Sequence, residues 1–274
     1  MIKRFLYLLS LSTVLALSGL LSLSRSVDAQ TISSPNSEEK SATNASIQST
    51  TSSLTVVRSN SDYTVLELSR LEQLALFWSD ERGRVFKRFE TLARWLDGRG
   101  QKLVFAMNAG MYHYDFSPVG LLQIDGKVWN PVNYDEGFGN FFLKPNGILA
   151  WSKNSVAILE TSEYPARADE FSNATQSGPL LLRHAQIHPS LDPASQSKHI
   201  RNGVGIRAQN MVFVISNRPV NFYEFAAFFR DELQCSDALY LDGSISSLYS
   251  LALNRHDRKA DLGPMLGFVI DRNR

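Results

Sequence analysis

The run Asp237-Ala-Leu-Tyr-Leu-Asp-Gly-Ser-Ile-Ser-Ser-Leu-Tyr249 carries one carboxylate, Asp242, from a short apolar stretch straight into a glycine and three serines. A carboxylate at a strand end, followed by small residues whose backbone N–H groups can face a ligand, is a common way to build an anion or sugar site. The alternative is a tight turn in which Asp242 caps the backbone and the serines are solvated. Three other segments share this character. Val104-Phe-Ala-Met-Asn-Ala-Gly-Met-Tyr-His113 ends an apolar run on Asn108, with Gly110 and His113 just beyond. Gln176-Ser-Gly-Pro-Leu180 is a polar turn in which Gly178 follows Ser177 and suits a close backbone approach. Arg201-Asn-Gly-Val-Gly-Ile206 sets a guanidinium at the start of an apolar strand. Together they offer an acid, a cationic fork, an amide and several bare turns.

The elements that must position these groups follow from hydrophobic spacing. Strands are expected at Thr55–Val57, Tyr63–Leu68, Ala75–Trp78 and Lys102–Met107. Phe86, Phe89, Leu92, Ala93 and Leu96 recur at helical spacing, and Gly98-Arg99-Gly100 stops that helix. Asp125-Gly126 predicts a hairpin between Leu121–Ile124 and Val128–Trp129, and Pro145-Asn146-Gly147 predicts a second between Phe141–Leu143 and Ile148–Trp151. Gly203–Ile206 and Met211–Ser216 read as a further strand pair, and Ala238–Leu241 as a buried strand. Asn221 with Glu224 three residues on is a capping box, starting a helix whose face Phe222, Phe225, Phe228, Phe229 and Leu233 reads as core. Hairpins outnumber crossover units. The expected fold is α+β: one domain, with a mixed, largely antiparallel sheet and two packed helices.

The ends and the composition narrow the function. Lys3 and Arg4 precede an apolar run from Phe5 to Leu23, and Val27-Asp28-Ala29 is an acceptable cleavage site, so residues 1–29 read as a signal peptide. Residues 30–53 are rich in Ser and Thr and read as a flexible linker, which leaves 54–274 as the domain. No stable membrane span is expected after cleavage. A formal net charge of +1 without a basic stripe argues against a nucleic-acid partner. The lone Cys235 excludes an internal disulfide, and clustered Cys or His spacing for a metal is absent. An exported protein without disulfides fits a bacterial envelope, periplasmic or extracellular. No cofactor is required by these residues, although Asp242, Asn108 and backbone carbonyls could hold calcium.

Taken in order, Met107-Asn-Ala-Gly-Met-Tyr-His113, Pro118-Val-Gly-Leu121, Gly139-Asn-Phe-Phe-Leu-Lys-Pro-Asn-Gly147, Ser177-Gly-Pro179, Arg201-Asn-Gly203 and Leu241-Asp-Gly-Ser-Ile-Ser246 resemble the phosphodiester glycosidase family. That family includes the enzyme that uncovers mannose 6-phosphate in animals, and its bacterial envelope branch is the closer likeness. The resemblance runs from about residue 60 to 270. It implies hydrolysis of a sugar-1-phosphodiester, with a sugar-phosphate or envelope glycan as substrate. Under it, Asp242 is the essential carboxylate, Arg201 a fork for phosphate, and Asn108 an orienting amide. Gly110, His113, Ser177, Gly178, Gly243, Ser244 and Ser246 would line the substrate. Two departures stand out. Asp242-Gly-Ser-Ile-Ser246 replaces the family's Asp-Gly-Gly-Gly-Ser, and Asn108-Ala-Gly110 replaces Asn-Gly-Gly. Ile245 would narrow the site or alter the substrate. Asp115, Asp135, Glu136, Glu160 and Asp237 are all candidates for a second carboxylate. The other readings are a non-catalytic envelope glycan-binding module, and a serine hydrolase using Ser244 or Ser246 with His113, which lacks the Gly-x-Ser-x-Gly elbow.

Overall fold

The structure is a computed structural model that describes residues 53–243 and 245–272. The expected signal segment and nearly all of the expected linker lie outside the described residues, as does Ser244. Strands β1 (Leu54–Ser59), β2 (Tyr63–Leu68) and β3 (Leu74–Phe77) lead into helix α1 (Phe89–Asp97) and strand β4 (Gln101–Asn108). Next come the hairpin β5 (Leu122–Ile124) and β6 (Lys127–Asn130), then β7 (Gly147–Trp151), β8 (Val156–Glu160) and β9 (Asn173–Ser177). β10 (Leu180–Arg183) and β11 (Gln186–Ile187) precede the long hairpin β12 (Asn202–Arg207) and β13 (Asn210–Ser216). Helix α2 (Phe222–Ala227) runs on through a wider π-type turn at Phe228–Glu232 into β14 (Asp237–Tyr240). β15 (Leu248–Ser250), β16 (Arg255–His256) and β17 (Met265–Asp271) close the chain.

These strands form three sheets: a seven-stranded one in the order β1-β2-β13-β12-β14-β10-β11, and five-stranded ones in the orders β16-β15-β4-β17-β3 and β6-β5-β9-β7-β8. Alternation along each strand sorts its residues between two cores. One face of the seven-stranded sheet packs Leu66, Val204, Phe213 and Leu239 against Phe105 and Phe268 of the second sheet and Leu149 and Trp151 of the third. Its other face, with Val65, Val212, Val214 and Ala238, is covered by Phe225 and Phe229 of α2. Gly205 makes that contact possible, because a Cβ there would lie 2.7 Å from Phe229. Helix α1 covers the outer face of the second sheet with Phe89, Leu92 and Leu96.

Several expectations need correction. Every strand pairing between the named strands is antiparallel, so the sheet is not mixed, and the protein is richer in strand than the α+β expectation implied. Phe141–Leu143 is not a strand. A 3₁₀ turn spans Asn140–Phe142, held by the Asn146 side-chain amide donating to the Phe141 carbonyl (2.8 Å), and β7 pairs with β8 and β9 instead. The capping box at Asn221 is present: its side chain accepts from the Glu224 N–H at 2.8 Å, and Glu224 accepts from the Asn221 N–H at 3.0 Å. No described helix is long and apolar enough to cross a membrane.

Candidate active site

The ends of β4, β12 and β14 converge where the first two sheets meet. Asn108, the last residue of β4, is 1% exposed, and its side chain bonds in three directions. Its amide donates to the Asp242 carbonyl at 2.7 Å and to Asn202 Oδ1 at 3.3 Å, and its Oδ1 accepts from the Ser247 N–H at 2.9 Å. Asn202 answers by donating to the Asn108 carbonyl at 3.2 Å, and Ser246 Oγ lies 3.0 Å from Asn202 Oδ1. The backbone of β14 continues the join, since the Leu241 N–H donates to the Asn202 carbonyl at 3.1 Å and the Asp242 N–H to the Ala109 carbonyl at 3.4 Å. A buried polar layer with its donors and acceptors matched is rigid, because losing any one partner strands another group away from water. Above it, Asp242 is half-buried.

Arg201 lies beneath the same turn and is 1% exposed. Three of its five N–H donors are used within the protein: Nε donates to the Val220 carbonyl (2.9 Å), Nη2 to the Ser197 carbonyl (3.0 Å) and Nη1 to Tyr240 Oη (3.4 Å). The guanidinium is stacked 3.6 Å from the centre of the Phe222 ring. Phe222, expected in the core, thus serves the arginine. Among the described residues no carboxylate pairs with Arg201; burial pushes its pKa down and Tyr240 pulls the other way. A buried cation without an anion is costly. Tyr240 is the link to the turn. A Cβ on Gly243 would fall 1.6 Å from Tyr240 Oη, so only glycine fits there. Burial raises the Tyr240 phenol to about 12, with Arg201 opposing and Asp242 adding to the rise. Tyr112 is also raised to about 12, by burial first and then by the charges of Asp242 and Asp261, and its Oη donates to the Asp261 carbonyl at 2.6 Å. Both phenols stay protonated at neutral pH.

The remaining candidates divide. Gly110 is wedged against β9, where a Cβ would lie 2.3 Å from the Gln176 carbonyl oxygen. Gly178 is equally tight, 2.7 Å from the Phe141 carbonyl, and the Pro179 carbonyl accepts from the Tyr240 N–H at 3.2 Å. Ser177 ends β9 fully buried, and its Oγ has no hydrogen-bond partner. His113 stands on an exposed turn, its N–H donating to the Ser117 carbonyl (2.8 Å), while Ser246 is buried on asparagine, so among the described residues His113 is not paired with Ser246. Ile245 packs on the α1 core with Phe89 and Leu92. Among the proposed second carboxylates, Asp237 occupies the opposite end of β14 and is bound by Arg183 at 2.8 Å, while Asp115, Asp135 and Glu136 are exposed. Arg207 pairs with Glu67 and stays apart from Arg201. Sequence reasoning did not single out Asn202, Tyr240, Tyr112 and Phe222. The signal for Asn202 was its place between Arg201 and a glycine-rich strand.

Among the described residues, no group of three or more His, Cys, Asp or Glu is placed to hold a metal. A cavity of about 220 Å³ lies along β10 and β11, lined by Leu180, Leu182, Arg183, Ile187 and His188, and includes none of the strand-end cluster.

The fold has a solved counterpart. The catalytic domain of zebrafish N-acetylglucosamine-1-phosphodiester alpha-N-acetylglucosaminidase, in its pro-peptide-inhibited form, superposes with a TM-score of 0.55 at 15% identity, over 75% of this chain and 76% of that one. In sequence, the uncharacterized protein YigE of Escherichia coli (strain K12) is 34% identical over 179 residues, which is 65% of this chain and 70% of YigE. The phosphodiester glycosidase family matches residues 101–269, a span that holds Asn108, Arg201, Tyr240 and Asp242 together. By that match, which covers more than half of its length, the chain belongs to the phosphodiester glycosidase family.

Proposed function

We propose that the protein hydrolyses a sugar-1-phosphodiester, releasing the sugar and leaving a phosphomonoester. The observation that supports this reading is the half-buried Asp242 carboxylate on the turn whose Gly243 packs against Tyr240 Oη, the partner of a buried guanidinium that pairs with no carboxylate among the described residues. Cleavage at an anomeric carbon passes through an oxocarbenium-like state, which a carboxylate stabilises or assists by proton transfer. Asp242 has that role. The departing phosphate needs positive potential. Arg201 supplies it from below, in a dry setting where charge is weakly screened, with Tyr240 Oη and the Gly243 backbone between the guanidinium and the ligand. This differs from a fork gripping phosphate directly, because Arg201 is 1% exposed and three of its five N–H donors go to Val220, Ser197 and Tyr240. The Asn108–Asn202–Ser246 layer fixes the turn, so that little reorganisation is needed as charge develops.

The reaction so drawn calls on no cofactor. Turnover insensitive to a chelator is the expected result, and loss restored by calcium would put a cation beside Asp242. We place the activity in a bacterial envelope, with a sugar-phosphate or envelope glycan as substrate, on the strength of the basic-then-apolar N-terminal run. The test is a panel of sugar-1-phosphodiesters incubated with the protein and with Asp242→Asn. Turnover lost in the variant supports the reading. Binding by both proteins without turnover by either would replace it with a glycan-binding module.

A further inference from the structure

A line of aromatic rings leads outward from Asp242. Tyr112, three residues beyond the Ala109 carbonyl that accepts from the Asp242 N–H at 3.4 Å, is stacked with Phe116 (5.6 Å between centres, 16° between planes). The Phe116 carbonyl accepts from Trp78 Nε1 at 2.8 Å, and Trp78 meets Trp129 edge-on at 6.0 Å. Trp129 is 44% exposed, although large aromatic rings are ordinarily kept from water. Each of the two outer faces carries a lysine. Lys87 Nζ sits 4.1 Å from the centre of the Phe116 ring, and Lys127 Nζ sits 3.7 Å from that of Trp129. Among the described residues neither lysine forms an ion pair, so each ammonium is held by a ring face alone. The backbone is also held unusually, since Phe116 (φ 68°) and Lys87 (φ 62°) are both left-handed without being glycine. Such conformations persist where the surroundings over-determine them, and they gather at ligand sites.

Flat rings suit the apolar faces of pyranoses, and unpaired cations beside them suit anionic links between those sugars. We propose that Tyr112, Phe116, Trp78 and Trp129, with Lys87 and Lys127, form a track for the units of substrate beyond the scissile bond. The substrate is then a glycan chain carrying repeated phosphates, not one small sugar phosphate. This rests on the reading of Asp242 given above, but its test does not depend on turnover.

The experiment is isothermal titration of the full chain with a panel of hexose and N-acetylhexosamine chains of four units joined by phosphodiesters. Each is paired with its one-unit phosphodiester and with the neutral tetrasaccharide. At least one four-unit chain should bind about tenfold tighter than both controls, with a preference that shrinks as salt rises. In the double variant Trp129→Ala, Lys127→Ala that preference should fall about tenfold, with a change of at most about twofold on the one-unit ligand. Equal binding of one-unit and four-unit ligands across the panel would overturn the track, as would a neutral tetrasaccharide that binds as well as its charged counterpart. A chain-length preference lost in the double variant, without cleavage of any member, would leave the track standing and sink the hydrolase. Normal cleavage without chain-length preference would do the reverse.

Discussion

Strand β14 meets an arginine at each end, and the fold treats the two in opposite ways. At its start, Arg183 donates to Asp237 at 2.8 Å and to both oxygens of Glu163 at 2.8 and 2.7 Å. These bonds raise its pKa against the pull of burial and hold Glu163 below the usual carboxylate range. At its end, Arg201 is more deeply buried and has carbonyls, a phenol and a ring for company, but no carboxylate among the described residues. Arg183 joins β10, β14 and the 160–163 turn. Arg201 adds a cost the fold could have avoided, since a buried charge without its opposite is worth less to stability than an apolar side chain of the same volume. On the reading proposed above, that cost is carried for what the guanidinium does to a ligand.

Replacing each arginine by methionine would break or sharpen this contrast. Arg201→Met should lower kcat/KM on a phosphodiester about 100-fold, near 2.7 kcal/mol, while neutral-sugar affinity moves by no more than about twofold. Equal losses on both ligands would remove the electrostatic role. Arg183→Met should do the opposite, costing about 2 kcal/mol in urea unfolding by stranding Asp237 and Glu163, with activity close to that of the parent. Tyr240→Phe removes the oxygen between Arg201 and Gly243, and a loss of about tenfold in kcat/KM, or 1.4 kcal/mol, is expected. Unchanged kinetics would show that the guanidinium acts without it.

The smallest effect lies in the cavity beside Arg183. His188 is 4% exposed, and burial holds its pKa below the ordinary histidine value. The unfolded chain therefore binds the extra proton first. This contribution to stability is complete above about pH 6.5 and declines as the pH falls through that value toward the folded pKa. Denaturant midpoints taken at pH 7.5 and 5.5 should converge in His188→Asn, and an unaltered slope would assign the dependence elsewhere.

Much of this was legible in the chain. Asn108, Asp242 and Ser246 announced themselves because an apolar run that stops on a polar residue must end at a sheet edge or a site. The capping box at Asn221 was equally plain, since its chemistry is local. What stayed hidden depended on contacts distant in sequence. Tyr240 and Phe222 sit in apolar patterns that spell core, and only the arrival of Arg201 from another strand gives them a polar task. Phe141–Leu143 misled for a similar reason, because a strand and an apolar 3₁₀ turn of three residues share a pattern, and Asn146 decides between them through space. The paired asparagines 108 and 202 are 94 positions apart, beyond the reach of any spacing rule.

Asn221 has one further consequence. The oxygen that starts helix α2 belongs to the same amide whose nitrogen grips the Pro193 and Ser195 carbonyls at 3.2 and 3.1 Å, in the loop that brings the Ser197 carbonyl to Arg201. Helix initiation and the sealing of the guanidinium thus share one side chain, and fraying of that first turn is expected to let solvent reach the buried charge.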